Sequence, residues 1–188
     1  MARPAEREAT LDTASAPNCL ESPKIVGARG LEGIFVAGGR SVNSPAMQLA
    51  HFYINLPGTT KEAFRFYETV FGTKIAMIQT FGEAKFMPNV PDAAKDKIVH
   101  VDLPITESVH LMGSDVIEGF GPPAVFGNNF HISVVGKDKE EADRVFAQLS
   151  GNGGSVAMPL ANAPWGPYFG MCVDRFGIHW MVSLPTPA

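Results

Sequence analysis

The stretch PWGPYFGMCVDRFGIHWMV, residues 164–182, reads as a closing β-hairpin. Its arms are PYFGMCVD and GIHWMVSL, and Asp174, Arg175, Phe176 and Gly177 supply the residue types of a tight reversal. Trp165, between Pro164 and Gly166, lies in the loop that enters the hairpin, where an aromatic serves either as a lid over a ligand or as a plug for the end of the sheet. Outward toward the N-terminus come SVAMPL as a strand, DKEEADRVFAQLSGNGG (138–154) as a helix with its stop, and NFHISVVG (129–136) as another strand. The order is β, α, β, β, β.

The same order occurs once before. QLAHFYINL (48–56) is strand-like, and TTKEAFRFYETVFG (59–72) has helical spacing, with Phe64, Tyr67 and Phe71 on one stripe. Thr59 or Thr60 is the expected cap and Gly72 the expected end. TKIAMIQTF follows, then KIVHVDLPI and ESVHLMGSD as a hairpin, and the Gly/Pro-rich GFGPPAVFGNN links the halves. A single register aligns Glu62, Ala63, Arg65, Tyr67, Val70 and Gly72 with Glu141, Ala142, Arg144, Phe146, Leu149 and Gly151, and Val109–Met112 with Ile178–Met181. Neither half can bury both its helix stripe and its sheet face alone. The expected fold is α+β: two βαβββ modules, 47–114 and 129–184, forming a curved mixed sheet or half-barrel cup with the helices outside.

Composition narrows the function classes. The chain has 188 residues and a formal charge of −4, with no block of Lys or Arg, which excludes the electrostatic footprint of a nucleic-acid binder. No apolar run approaches the ~20 residues that span a bilayer. Cys19 and Cys172 lie in unlike contexts and are not expected to pair, so a reducing, cytoplasmic setting is expected. Residues 1–46, rich in Ala, Gly, Pro and Ser without a sustained period, are expected to be a disordered leader, with Met47 opening the domain 47–188. Walker, GxGxxG, GxSxG, HExxH and CxxC signatures do not occur, which disfavours nucleotide-dependent and triad chemistry.

Four segments, EAFRFYETVFG, IVHVDLPI with its His100, KEEADRVFAQL and the 164–182 ending, resemble the PhnB-like branch of the vicinal oxygen chelate superfamily. That superfamily also holds glyoxalase I, extradiol dioxygenases and bleomycin or fosfomycin resistance proteins. The resemblance runs from Met47 to Leu184. It implies a small molecule bound in a strand-lined cup, a homodimer, and one of two functions: a metal-dependent lyase, isomerase or dioxygenase, or a non-catalytic sequestering protein of the bleomycin-resistance type.

Enzymes of the superfamily typically hold a divalent metal through one ligand from each of four strands. His51 and His131 match the two first-strand positions; the two last-strand positions fall on Met112 and Met181, thioethers that suit the usual metals poorly. His110 and His179 share faces with these methionines, so the resemblance and the alternation together give His51, His131, His110 and His179 as a candidate set for Zn, Ni or Fe. His100 stands where the branch usually has His, as an acid/base or substrate hydrogen-bonder or as a structural residue of the hairpin. Tyr53 and Asn55 share the His51 face and, with Met112, Trp165 and Met181, make the expected ligand contacts.

Overall fold

The computed structural model describes residues 49–85, 89–119, 121–163 and 168–185. The 1–46 leader, the start at Met47 and Trp165 lie outside these residues. The elements are β1 (Phe52–Leu56), α1 (Thr60–Phe71), β2 (Met77–Thr80), a short 3-10 turn (Asp92–Ala94), β3 (Ile98–Pro104), β4 (His110–Asp115), β5 (Ile132–Val135), α2 (Lys139–Ser150), β6 (Ser155–Asn162), β7 (Tyr168–Val173) and β8 (His179–Ser183). Two βαβββ modules are therefore present, and the fold is α+β. Each module forms one mixed sheet, ordered β1-β4-β3-β2 and β5-β8-β7-β6. In each the first strand runs parallel to the last, and the other pairs are antiparallel. Among the described residues the sheets stay open, with β1 and β5 each hydrogen-bonded to a strand on one side only.

The helices form where the apolar stripes fall, and only the N-terminus of α1 is held differently from expectation. Gly72 closes α1 in the left-handed region, with φ of 68°. At the other end neither threonine side chain caps; Asp115, at the end of β4, does so from a distance in sequence, accepting the Thr60 N–H at 2.9 Å through Oδ1. Its Oδ2 accepts the Ile98 N–H at 2.7 Å, so one carboxylate joins α1, β3 and β4. In α2 the cap is local: Asp138 accepts the Glu141 N–H at 2.8 Å, and Glu141 accepts the Lys137 N–H in return. Arg144 of α2 donates to the Val70 carbonyl at 2.8 Å, satisfying one of the free acceptors in the last turn of α1.

One hydrophobic core serves both modules. Phe64, Tyr67 and Val70 of α1, Val101 and Leu103 of β3, Leu111 of β4, Leu149 of α2 and Trp180 of β8 are all fully buried. Tyr67 and Phe71 each place a ring 5.6 Å from Trp180, so the helix of the first module packs on the last strand of the second. Because side chains alternate along a strand, burying Leu111, Trp180 and Val182 against the helices turns His110, Met112, His179 and Met181 to the opposite, open faces.

Candidate functional site

Strand register brings the candidate residues together in two equivalent sets. Phe52 lies opposite Leu111 and Ile132 opposite Trp180 in the parallel ladders. One step earlier, His51 meets His110, ring centroids 4.9 Å apart, and His131 meets His179 at 5.1 Å, both edge-on. His51 and His131 each stand one residue before the strand to which the sequence assigns them. One step later Tyr53 lies opposite Met112 and Ser133 opposite Met181. The histidines thus occur as one pair per module, and the methionines lie one pleat further along the same faces.

The two faces differ in polarity. On the first module, Tyr53 stacks on His100 with centroids 5.8 Å apart, its hydroxyl 3.5 Å from His100 Nδ1. Ser114 donates to Asn55 Oδ1 at 2.9 Å, and among the described residues no acceptor meets the Asn55 amide hydrogens. Asp102 on β3 places Oδ1 2.6 Å from His110 Nδ1, both side chains partly buried. On the second module Met171 lies opposite Met181, as Asp102 lies opposite Met112, so a thioether stands where the first module has its carboxylate.

The hydrogen bonds fix what each imidazole of the first pair presents. The His110 backbone N–H donates to His51 Nδ1 at 3.1 Å, and a peptide N–H is never an acceptor, so His51 Nδ1 carries the lone pair. Neutral His51 is therefore protonated on Nε2. Neutral His110 is the reverse: Nδ1 carries the proton donated to Asp102, and Nε2 carries the lone pair.

This geometry bears on the metal expected from the resemblance. A ligand imidazole needs a lone pair on the coordinating nitrogen, and His51 keeps its own in the hydrogen bond to the backbone. Among the described residues no group of three or more His, Cys, Asp or Glu side chains is placed to hold a metal ion. Two imidazoles in each pair fall short of the three or four donors of a zinc-type site. As arranged, this donor set does not fit a chelated ion.

A cavity of about 650 Å³ opens at the seam of the modules. Asn55 and Ser114 line it from the first module, His179 from the second, and Phe126 and Phe130 from the linker. Phe126 packs against Gly177 of the β7–β8 turn, where an added Cβ would meet its ring at 3.1 Å. Asp102, Ser114 and the linker aromatics are residues that motif reading passes over. The signal for Asp102 is a carboxylate inside the apolar run IVHVDLPI, on the same face as His100; the linker, read as a spacer, carried its aromatics without a period.

The matches to known proteins agree with this architecture. The family model of the Glyoxalase/Bleomycin resistance protein/Dioxygenase superfamily matches residues 49–182. Protein YjdN of Escherichia coli (strain K12) is 26% identical over 139 residues, 70% of this chain and 92% of that protein. The crystal structure of PA1353 from Pseudomonas aeruginosa is 35% identical with a TM-score of 0.65, over 75% of this chain and all of that one. The PhnB protein of Bacillus cereus shares the fold, with a TM-score of 0.58 at 24% identity over 73% of this chain and 100% of that chain.

Proposed function

Because the chain belongs to the Glyoxalase/Bleomycin resistance protein/Dioxygenase superfamily, we propose that it binds a small organic molecule between its modules, on the strand faces turned away from the helices. The observation that carries this is the composite wall of the seam cavity: Asn55 and Ser114, His179, Phe126 and Phe130 come from three separate parts of the chain. A mainly apolar cavity with a few convergent polar groups is the usual form of a small-molecule site. Free amide hydrogens on Asn55 and flanking aromatic rings suit a planar molecule that bears a carbonyl or carboxylate acceptor. Tyr53, His100, Met112 and Met181 lie on the same open strand faces, outside the lining of the cavity, and are the remaining ligand contacts of this reading. Proton transfer by histidine is better supported than metal chelation, given the hydrogen bonds of His51 and His110.

Sequestration without turnover is the second reading. It is favoured by the second module, where Met171, Met181 and the exposed Val135 offer contact area and His131 and His179 are the titratable groups on the face. Melting-temperature shifts against a panel of aromatic acids and ketones test binding. Hits that stabilise the native chain and lose their effect in Phe126→Ala and Asn55→Ala support the cavity; stabilisation indifferent to both variants rejects it.

A homodimer accompanies this reading. β1 and β5 each leave an unpaired edge, and Leu49, Phe130 and Val135 beside them are about 60% exposed. Light scattering at micromolar concentration checks it, and a monomer mass that persists at high concentration rejects it. A cytoplasmic setting is supported by the unpaired Cys172 thiol. No described helix is long and apolar enough to cross a membrane.

A further inference from the structure

His51 and His110 stand side by side at the open end of β1 and β4 with opposite hydrogen-bonding character. The backbone donor at His51 Nδ1 leaves an N–H on His51 Nε2, and the Asp102 carboxylate at His110 Nδ1 leaves the lone pair of the neutral imidazole on His110 Nε2. Among the described residues neither Nε2 has a hydrogen-bond partner. His51 is exposed and the His110 side chain is 30% exposed, so a molecule on this face can reach both. A hydrogen-bond donor and a base 4.9 Å apart, ring centre to ring centre, match the two needs of enolisation: an acceptor for the proton on carbon and a donor for the carbonyl oxygen where charge develops. The second module lacks this arrangement, because Met171 replaces the carboxylate that would orient His179.

We propose that His51, Asp102 and His110 form a metal-independent proton-transfer site for small carbonyl compounds that carry a hydrogen on the carbon next to the carbonyl. The proposal rests on the reading above that the open strand faces take a small molecule; the three residues lie on the first module's face, outside the lining of the seam cavity. The α C–H bond breaks and its proton goes to His110 Nε2. The electron pair becomes the C=C bond of an enolate whose oxygen accepts the His51 Nε2–H. His51 keeps its proton throughout: with Nδ1 committed to a peptide N–H, it acts as a neutral electrophile rather than a proton donor. Asp102 is a positioning residue, holding the His110 tautomer and balancing the imidazolium that forms. Return of the proton to the same carbon gives hydrogen exchange with solvent; its return to the former carbonyl carbon of a hydroxyketone, with the hydroxyl proton passing directly between the two oxygens of the cis-enediolate, gives isomerisation. No oxidant, reductant or second substrate enters the balance.

The experiment follows solvent deuterium exchange into hydroxyacetone by proton NMR, using the full chain in D2O with EDTA present. Exchange above the buffer rate, unchanged by EDTA and falling ~10²-fold or more in His110→Gln, is the expected result. His51→Gln, which keeps a donor of similar reach, retains more of the rate than His51→Ala. Imidazole nitrogen NMR of the same protein should show His51 protonated on Nε2 and His110 on Nδ1, with the His110 preference lost in Asp102→Asn while circular dichroism is unchanged. Exchange no faster than buffer, exchange abolished by EDTA, exchange retained in His110→Gln, or His51 protonated on Nδ1 would each overturn the proposal. Failure of the cavity reading shows separately, in the Phe126→Ala melting shifts, which do not involve His110.

Discussion

Tyr67 of α1 donates its hydroxyl hydrogen to Asp174 Oδ2 in the β7–β8 turn, 2.7 Å away and 107 positions along the chain. The same oxygen accepts Trp180 Nε1–H at 2.7 Å, and Oδ1 accepts the backbone N–H groups of Phe176 and Ile178. A residue that turn formation alone accounts for is thus a buried junction between the modules. Tyr67→Phe removes one bond to a charged acceptor that keeps its other donors, and should cost about 1.5 kcal/mol. Asp174→Ala strands several donors at once and should cost upward of about 3 kcal/mol. Urea unfolding of the two variants measures the difference; equal costs would show that the carboxylate is not shared.

The same contact gives a pH dependence. Burial, then the neighbouring Asp174 carboxylate, holds the Tyr67 phenol well above its ordinary value of 10.0. A group whose folded-state pKa is raised contributes stability that is full below the unfolded value and lost as pH rises through the folded one. Stability should therefore fall as pH rises above about 10, where the unfolded chain ionises and the folded chain holds its proton. In Tyr67→Phe this part of the alkaline loss should vanish. Denaturant midpoints between neutral pH and the onset of irreversible alkali damage check the slope.

Gly113 on β4 lets the ring of Phe64 sit directly on the sheet. An added Cβ would lie 2.8 Å from both Phe64 Cε2 and the Ile54 carbonyl oxygen, and the second of these is backbone that cannot turn away. Gly113→Ala should destabilise by about 1–3 kcal/mol through overpacking. A paired Phe64→Leu change, which shortens the ring side of the clash, should recover part of that loss in thermal melts. No cost in the single variant would place Phe64 elsewhere.

The architecture was legible because periodicity and duplication both act locally: the Phe64–Tyr67–Phe71 stripe and the repeated His–x–Met of the last strands need no knowledge of packing. Tyr53, Asn55, His110 and Met112 could be placed on one face by alternation alone, and they are. What alternation does not carry is the hydrogen bond that decides each histidine's chemistry. His51 looks like a metal ligand until the His110 peptide N–H is seen to occupy Nδ1, and Asp102 looks like one more strand residue until it meets His110. Asp115 likewise caps α1 across 55 positions, where sequence places the cap on the adjacent threonines. Long-range polar contacts of this kind leave no period to read.

Cys172 is 1% exposed, and burial, aided by nearby Asp174, pushes its thiol up to about 12. The nucleophilic form is the thiolate, so native Cys172 should be inert to thiol reagents. In a Cys19→Ser variant, reaction with Ellman's reagent at pH 8 should proceed only through opening of the domain, and should become rapid in urea. Rapid stoichiometric labelling in native buffer would show that β7 opens readily.

Metal ions give the last prediction. A ligand that binds the native state at ~100 times its dissociation constant adds about 2.7 kcal/mol of stability, which for a domain of this size raises the melting temperature by several degrees. Zinc or nickel at ~100 µM would therefore report any site with a dissociation constant near 1 µM as a shift easily seen in a melt. No shift of that size is expected. Coordination through His51 Nε2 would require its proton to move to Nδ1, against the His110 peptide N–H, and coordination through His110 Nε2 alone supplies one donor. EDTA should likewise leave the melting temperature of the purified, untagged protein unchanged. A metal-dependent rise that disappears in His51→Ala would show that the backbone bond yields to an ion and would restore a chelating site to this face.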